Sequence, residues 1–301
     1  MSSVMTAERT RTSLFAKWSD WVVLIKPRIS VMVLITVAMA SFVARWGQAD
    51  PITLVHTLLG VVLVAASASA INQWLEVDVD LLMPRTADRP LPSGRLTPRQ
   101  VMIFAIGTGI LGHAYLFFFV NSMAAAWGFA TWMIYGWIYT PLKRRSALNT
   151  AIGAISGATP ILIGWSATGT ALDLRALGLF LVLFLWQFPH FMAIAWMYRE
   201  EYARAGIRML TVVDPSGTQA GLHAVFAALA LLPVSFIPAL YVSPPGASLY
   251  VALAFLLGAA QLACAVLFFA VRSRNTARWL LRASLIYLPA LVVLLMLLPW
   301  F

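Results

Sequence analysis

The chain is patterned as long apolar blocks separated by short polar ones. Nine such blocks can be marked, at roughly 22–43, 52–74, 100–120, 122–140, 150–168, 175–198, 220–242, 247–271 and 279–300. Each is about twenty residues long, the length at which a helix crosses the hydrocarbon core of a bilayer. The pattern predicts an all-α, polytopic membrane protein of nine transmembrane helices. Only Asn121-Ser122 separates the third and fourth blocks, so a tight turn and one long bent helix are both open there. Lys26-Pro27-Arg28 interrupts the first block and moves its start later. Ahead of the blocks stands a polar segment, 1–21, with Glu8, Arg9, Arg11, Lys17 and Asp20. It lacks the apolar core and cleavage site of a secretory signal. Its Ser, Thr and basic residues leave a transit peptide open, and its two acids argue against one. The remainder, 22–301, reads as a single membrane domain.

Composition sharpens the picture. Of the 301 residues, 61% are hydrophobic and 11% charged, against about 25% charged in soluble domains. Such a chain could not cover a water-facing surface, which excludes a soluble enzyme, a disordered protein and a nucleic-acid-binding domain. The net charge of +10 is a matter of placement. Nineteen of the 21 Lys and Arg fall in the N-terminal segment and the even-numbered loops; only Arg45 and Arg175 lie on the other side. Basic loops stay cytoplasmic, so the N-terminus is expected inside and, after nine crossings, the C-terminus outside. The single cysteine, Cys264, allows no intramolecular disulfide, and the four histidines are scattered without metal-site spacing.

Charge near a bilayer is costly, and acidic residues there need a reason. Seven of the eleven acids sit in two segments on the cytoplasmic side: Glu76, Asp78, Asp80 and Asp88 in the second loop, Glu200, Glu201 and Asp214 in the sixth. Asn72, Glu76 and Asp80 are spaced i, i+4, i+8, one face of a helix, with Asp78 turned largely away. Three oxygen-bearing side chains at the end of a span suit Mg²⁺, which takes oxygen ligands and is commonly held by one or two carboxylates plus a substrate phosphate. Carboxylates of the two loops facing each other would complete a divalent-cation site. Pro-rich residues 83–94 follow, where Arg85 and Arg89 can grip phosphate oxygens. The competing reading is a solvated loop whose acids pair with its own arginines.

These residues carry a resemblance. Asn72-x3-Glu76-x3-Asp80 followed by Arg85-Thr86-x2-Arg89-Pro90-Leu91-Pro92 resembles the first signature of the UbiA superfamily of intramembrane prenyltransferases. Further strings resemble its heme-farnesylating branch: Lys26-Pro27-Arg28-Ile29, Tyr139-Thr140-Pro141-Leu142-Lys143-Arg144, Gly157-Ala158-Thr159-Pro160, Trp186-Gln187-Phe188-Pro189-His190-Phe191 and Tyr198-Arg199-Glu200-Glu201-Tyr202 running on to Met209-Leu210. There are departures. Glu76 stands where much of the superfamily has Asp. Tyr198 and Tyr202 occupy the positions of a second Asp-x3-Asp motif, with only Glu200 and Glu201 supplying carboxylate nearby. Arg208 and Thr211 sit where proline is common.

The resemblance implies a nine-helix bundle around a central cavity, in a bacterial cytoplasmic membrane rather than a mitochondrial inner membrane. It implies Mg²⁺ held by Asn72, Glu76 and Asp80, with farnesyl diphosphate and heme B as substrates. The product would be heme O for terminal oxidases, with a heme A synthase or an oxidase assembly factor as a possible partner. Arg85, Arg89, Lys143, Arg144, Arg199 and Arg204 are candidate clamps for the diphosphate, and Lys26, Arg28, Glu200 and Glu201 belong to the matching strings. Tyr198 and Tyr202, with Trp74, Tyr139 and Trp186, could steady an allylic cation through their ring faces; packing is the plainer role for any one of them. His190 is either a heme contact or a buried polar residue bonded across helices together with Gln187. Another aromatic or tetrapyrrole acceptor, and a transporter, are the alternatives. A transporter would spread its polar residues through the membrane depth, whereas these acids gather at one face.

Overall fold

A computed structural model describes residues 18–46 and 48–300. Glu8, Arg9, Arg11 and Lys17 of the polar segment lie outside the described residues. Among the described residues there is no strand, and the chain runs as helices α1 (Trp18–Leu24), α2 (Pro27–Arg45), α3 (Pro51–Leu75), α4 (Val77–Leu81), α5 (Pro98–Phe119), α6 (Ser122–Met133), a π-helical turn Ile134–Tyr139, α7 (Thr140–Leu142), α8 (Asn149–Ala158), α9 (Pro160–Ala167), α10 (Leu174–Met197), α11 (Arg199–Arg204), α12 (Leu210–Val213), α13 (Thr218–Ser235), α14 (Pro244–Ala270) and α15 (Arg274–Leu297).

Eight stretches are long and apolar enough to cross a membrane: α2, α3, α5, α8 with α9, α10, α13 with its 3₁₀ extension to Tyr241, α14 and α15. The predicted fourth block is helical too, as α6, the π turn and α7 in continuous succession. The protein is therefore an integral, multi-pass membrane protein. Several helix starts are written locally. Proline opens α2, α3, α5 and α14, where its missing N–H costs nothing and its φ is already helical. Asp50, Thr97, Asn121 and Asp173 accept from the first-turn N–H groups of α3, α5, α6 and α10. Asn121, in extended conformation, caps α6 through Ala124 N at 2.8 Å. The third and fourth blocks are thus two helices joined by a tight turn.

Two block boundaries shift. The first block is cut at Lys26, whose backbone is left-handed (φ 51°, ψ 64°), so that α1 precedes it and the long helix begins at Pro27. The fifth is divided at Pro160, which has no N–H to continue the ladder.

The helices close a bundle. α3 packs on α5 and α2 on α9, while α10 touches α8, α13 and α15; α14 lies against α13 and α15, and α15 returns to α2. Small residues permit the closest approaches. A Cβ on Gly164 would stand 2.2 Å from the Val37 carbonyl oxygen, and one on Gly112 would stand 2.8 Å from the Val64 nitrogen; this is backbone-to-backbone packing of the membrane type. Trp165, Tyr250, Tyr287 and Phe268 fill the interior, whereas Phe118, Ile110, Leu256 and Ile286 are turned outward. An apolar outer face is the arrangement a hydrocarbon solvent requires.

Candidate active site

The site begins at the end of α3. The helix breaks at Glu76 (φ −105°, ψ 9°) and restarts as α4, yet Asp80 N still donates to Glu76 O at 2.7 Å. The i, i+4, i+8 face therefore survives the break. Asn72 and Asp80 are 1% exposed and Glu76 9%, while Asp78 is exposed. All three oxygen-bearing side chains face inward.

Each is met by a basic side chain from a different element. Lys26 donates to Asn72 Oδ1. Lys143 Nζ lies 2.8 Å from Glu76 Oε1. Arg89 grips Asp80 with one guanidinium nitrogen at 2.8 and 2.7 Å from its two oxygens. Asn72 Nδ2 completes the cluster by donating to Glu76 Oε2 at 2.9 Å and to Thr140 Oγ1 at 3.1 Å.

Backbone irregularities deliver these groups. Lys26 emerges from its left-handed residue, anchored in front by Gln73 Nε2 donating to Leu24 O at 2.7 Å and by Arg95 on Asp20 at 2.8 Å. The π turn places Tyr135 and Tyr139 beside each other, ring centroids 5.5 Å apart, and lays Lys143 Nζ over the Tyr139 ring at 4.6 Å. Such turns re-aim side chains at functional sites. Gly153 makes room for the Tyr139 ring, which a Cβ there would meet at 2.7 Å. Arg208 N donates to Lys143 O at 2.7 Å, fastening the Lys143 loop to the sixth loop.

Burial and charge set the protonation. Burial would raise the Glu76 carboxyl, but Lys143 and Lys26 hold it below its ordinary value. Burial likewise works against charge on Lys143, and Glu76 outweighs it, holding the ammonium above its ordinary value. Burial raises Asp80 against the pull of Arg89. Lys26 is pulled down to about 7, first by burial and then by Arg89. A cavity of about 260 Å³ opens beside this cluster, lined by Leu75, Glu76, Val79, Thr140, Lys143 and Ile207 among others.

The second acidic loop comes to the same mouth through Arg85. Its guanidinium stands 5.0 Å from the Tyr198 ring centroid and 5.2 Å from that of Tyr202. It donates to Tyr202 Oη at 2.9 Å and lies 3.7 Å from Glu201. Val79 and Met83 pack on Ala205 and Ile207 beneath it. The expected meeting of carboxylates across the loops is not what the side chains do. Glu201 turns to Arg85, and Glu200, its side chain 82% exposed, pairs at 3.6 Å with Arg199. Among the described residues no three His, Cys, Asp or Glu side chains converge.

The other candidates divide. Arg144 lines the cavity and is exposed. Arg199 stacks on Trp196 at 4.5 Å and donates to its carbonyl, closing the end of α10. Arg204 and Arg28 are exposed. Gln187 is buried and donates to Ala154 O and Leu183 O, in a space that only Gly157 leaves, since a Cβ there would meet its Oε1 at 2.2 Å. His190 bonds Ser284 Oγ at 3.0 Å and stacks on Trp186 at 4.8 Å. The two are bonded across helices separately, Gln187 to α8 and His190 to α15. Of the competing readings of the second loop, each holds in part: Asp88, its side chain 94% exposed, and Asp80 both pair with arginines of the loop itself, Arg95 and Arg89, but Asp80 and Glu76 are buried rather than solvated. Sequence reading missed Thr140 and the Arg208 N–H. Thr140 stood in a matched string, but a backbone donor leaves no mark in a sequence.

The donor set fits a magnesium ion. Amide and carboxylate oxygens, buried and already attracting cations, are the ligands this ion takes when substrate phosphate supplies the rest.

Residues 33–300 match the UbiA prenyltransferase family. The chain is 41% identical over 287 residues to a protoheme IX farnesyltransferase of Solibacter usitatus, covering 92% of this chain and 98% of that one. It is 39% identical over 280 residues to one of Rhodopirellula baltica, covering 90% and 97%. Among solved structures, a digeranylgeranylglyceryl phosphate synthase superposes with a TM-score of 0.78 at 16% identity, over 93% of this chain and 98% of that one. A UbiA homolog from Archaeoglobus fulgidus, bound to DMAPP and Mg²⁺, superposes at 0.70 and 15%, over 93% and 99%. At these identities the structures speak for the fold.

Proposed function

The chain belongs to the UbiA prenyltransferase family, and from that premise we propose that it transfers a farnesyl group from farnesyl diphosphate to a vinyl group of heme B, giving heme O. The observation that carries the chemistry is the inward cluster of Asn72, Glu76 and Asp80 ringed by Lys26, Lys143, Arg89 and Arg85. The choice of acceptor rests on the names borne by relatives that match nearly end to end.

The diphosphate sits at the mouth and its isoprenoid tail runs into the apolar interior. Asn72, Glu76 and Asp80 would hold Mg²⁺, which would supply Lewis-acid stabilisation of the leaving diphosphate. Lys143, Arg89 and Arg85 stabilise the charge that grows on the diphosphate as the farnesyl C1–O bond breaks, and being fixed in advance they do so without reorganising. Tyr139, Tyr198 and Tyr202 present rings toward the same mouth and steady the allylic cation. The vinyl terminal carbon then bonds to farnesyl C1. Water adds to the remaining carbon, loses a proton and leaves the hydroxyl. Diphosphate departs without a general acid. Surrounding apolar walls keep water from the first cation. His190 is proposed as a heme contact, oriented by Ser284, and Arg144 as an outer clamp. Residence in a bacterial inner membrane and delivery to a heme A synthase or an oxidase assembly factor belong to the same proposal.

Purified protein given heme B, farnesyl diphosphate and Mg²⁺ is expected to convert heme B to a heavier, more hydrophobic heme and to release diphosphate. Folded protein that binds both substrates and yields no such heme would refute the assignment.

A further inference from the structure

Each of the three side chains that could hold a metal in the cluster already accepts from a basic side chain of the same chain, Asn72 from Lys26, Glu76 from Lys143 through Oε1 and Asp80 from Arg89, and the other Glu76 oxygen accepts from the Asn72 amide. These are not surface pairs. Asp80 is 1% exposed at its side chain, and the Lys143–Glu76 pair is 17% and 11% exposed. Two carboxylates face two permanent cations and a third basic group, so the cluster carries no surplus negative charge with which to attract a divalent ion. A metal entering alone would displace charge-assisted bonds and leave Lys143, its side chain 17% exposed, beside it with no anion to bind. Stranding a buried charge in this way is strongly unfavourable. A diphosphate entering with the metal removes that cost, because its oxygens accept the bonds that the carboxylates give up.

We propose that the free protein excludes divalent cations, and that metal and prenyl diphosphate bind only together, with Lys143 and Arg89 transferring from carboxylate to diphosphate as the metal takes their place. The inference rests on the assignment of this cluster to prenyl diphosphate. By linkage the coupling is reciprocal: whatever the diphosphate adds to metal affinity, the metal adds to diphosphate affinity. The basic side chains thus act twice, as stand-ins that keep the site from holding a metal unproductively and as clamps once substrate arrives.

Mn²⁺ serves as a paramagnetic probe for the divalent ion, measured by equilibrium dialysis with electron paramagnetic resonance on the full chain in lipid nanodiscs. A non-hydrolysable farnesyl thiodiphosphate supplies the anion, and its own binding is followed with a radiolabel. Protein-bound Mn²⁺ is expected to require the analogue, with affinity at least about tenfold higher in its presence. Lys143→Met, which frees Glu76, and Lys26→Met, which frees Asn72, are each expected to let Mn²⁺ bind without the analogue; two variants on different elements guard against one that fails to fold. Equal Mn²⁺ affinity with and without analogue, while the analogue itself binds, would overturn the coupling and leave the prenyl diphosphate assignment standing. Failure of the analogue to bind with or without Mn²⁺ would overturn both.

Discussion

At the scale of single residues, the cluster at the end of α3 joins two costs that usually exclude each other. Asn72, Glu76 and Asp80 are buried as deeply as core residues, yet they carry charge or full hydrogen-bonding capacity, which burial penalises by several kcal/mol when unpaired. Basic partners from three other elements make that burial tolerable. Asp80 is the sharpest test, because Arg89 spans both its oxygens and, its side chain 27% exposed, can turn to water if the carboxylate is lost. Asp80→Ala is therefore expected to accumulate as a folded protein and to lose at least about a hundredfold in turnover, as measured by heme conversion at saturating substrate. Full activity in that variant would remove Asp80 from the metal site. The face shared by Asn72, Glu76 and Asp80 was legible from spacing alone. The same spacing turned Asp78 away, and it is exposed; the pairing of Asp88 with Arg95 is set by a contact that spacing on the helix does not reach. Lys26 on Asn72 was equally hidden, since 46 residues separate the two.

At the scale of elements, interruptions rather than regular helix build the mouth. The left-handed Lys26 and the π turn at Ile134–Tyr139 each redirect a side chain that an unbroken helix would send elsewhere, while the break at Glu76 leaves the Asn72, Glu76 and Asp80 face intact. Block lengths announced the helices well, since about twenty apolar residues leave few alternatives. They could not announce the π turn, whose Ile-Tyr-Gly-Trp-Ile-Tyr sequence is ordinary for a span, nor the extra helix α1, which blends with the first block. Close helix contacts are the second element-scale feature. Gly164 faces the Val37 carbonyl, and Ser41 Oγ bridges the same two helices by donating to Val37 O and Gly164 O at 3.0 and 2.8 Å. Backbone cannot yield as a flexible side chain can. Gly164→Ala is expected to cost about 1–3 kcal/mol, read as a lower melting temperature in detergent, with a normal metal requirement in whatever folds. An unchanged melting temperature would show that α2 and α9 are free to separate.

At the scale of the whole molecule, the clustering of acids and bases at one mouth and the apolar bundle beneath them would divide the labour of the proposed reaction. In that proposal the polar mouth would handle diphosphate and metal and the greasy interior isoprenoid and cation, with charge separation at the boundary between the two. Membership of the family, the all-helical fold and the multi-pass topology follow from what lies across nearly the whole chain. The proposed acceptor rests on relatives that also match nearly end to end, whereas the bond from His190 to Ser284, 94 residues further on, left no mark in the sequence. The measurement that bears most directly on the whole is mass spectrometry of hemes extracted from cells that depend on this chain, with and without it. With the chain present, a heme heavier than heme B by one farnesyl group and one hydroxyl is expected, and it should vanish when the chain is deleted or carries Asp80→Ala. The same heme in cells lacking the chain, or only heme B in cells that accumulate it folded, would contradict the assignment.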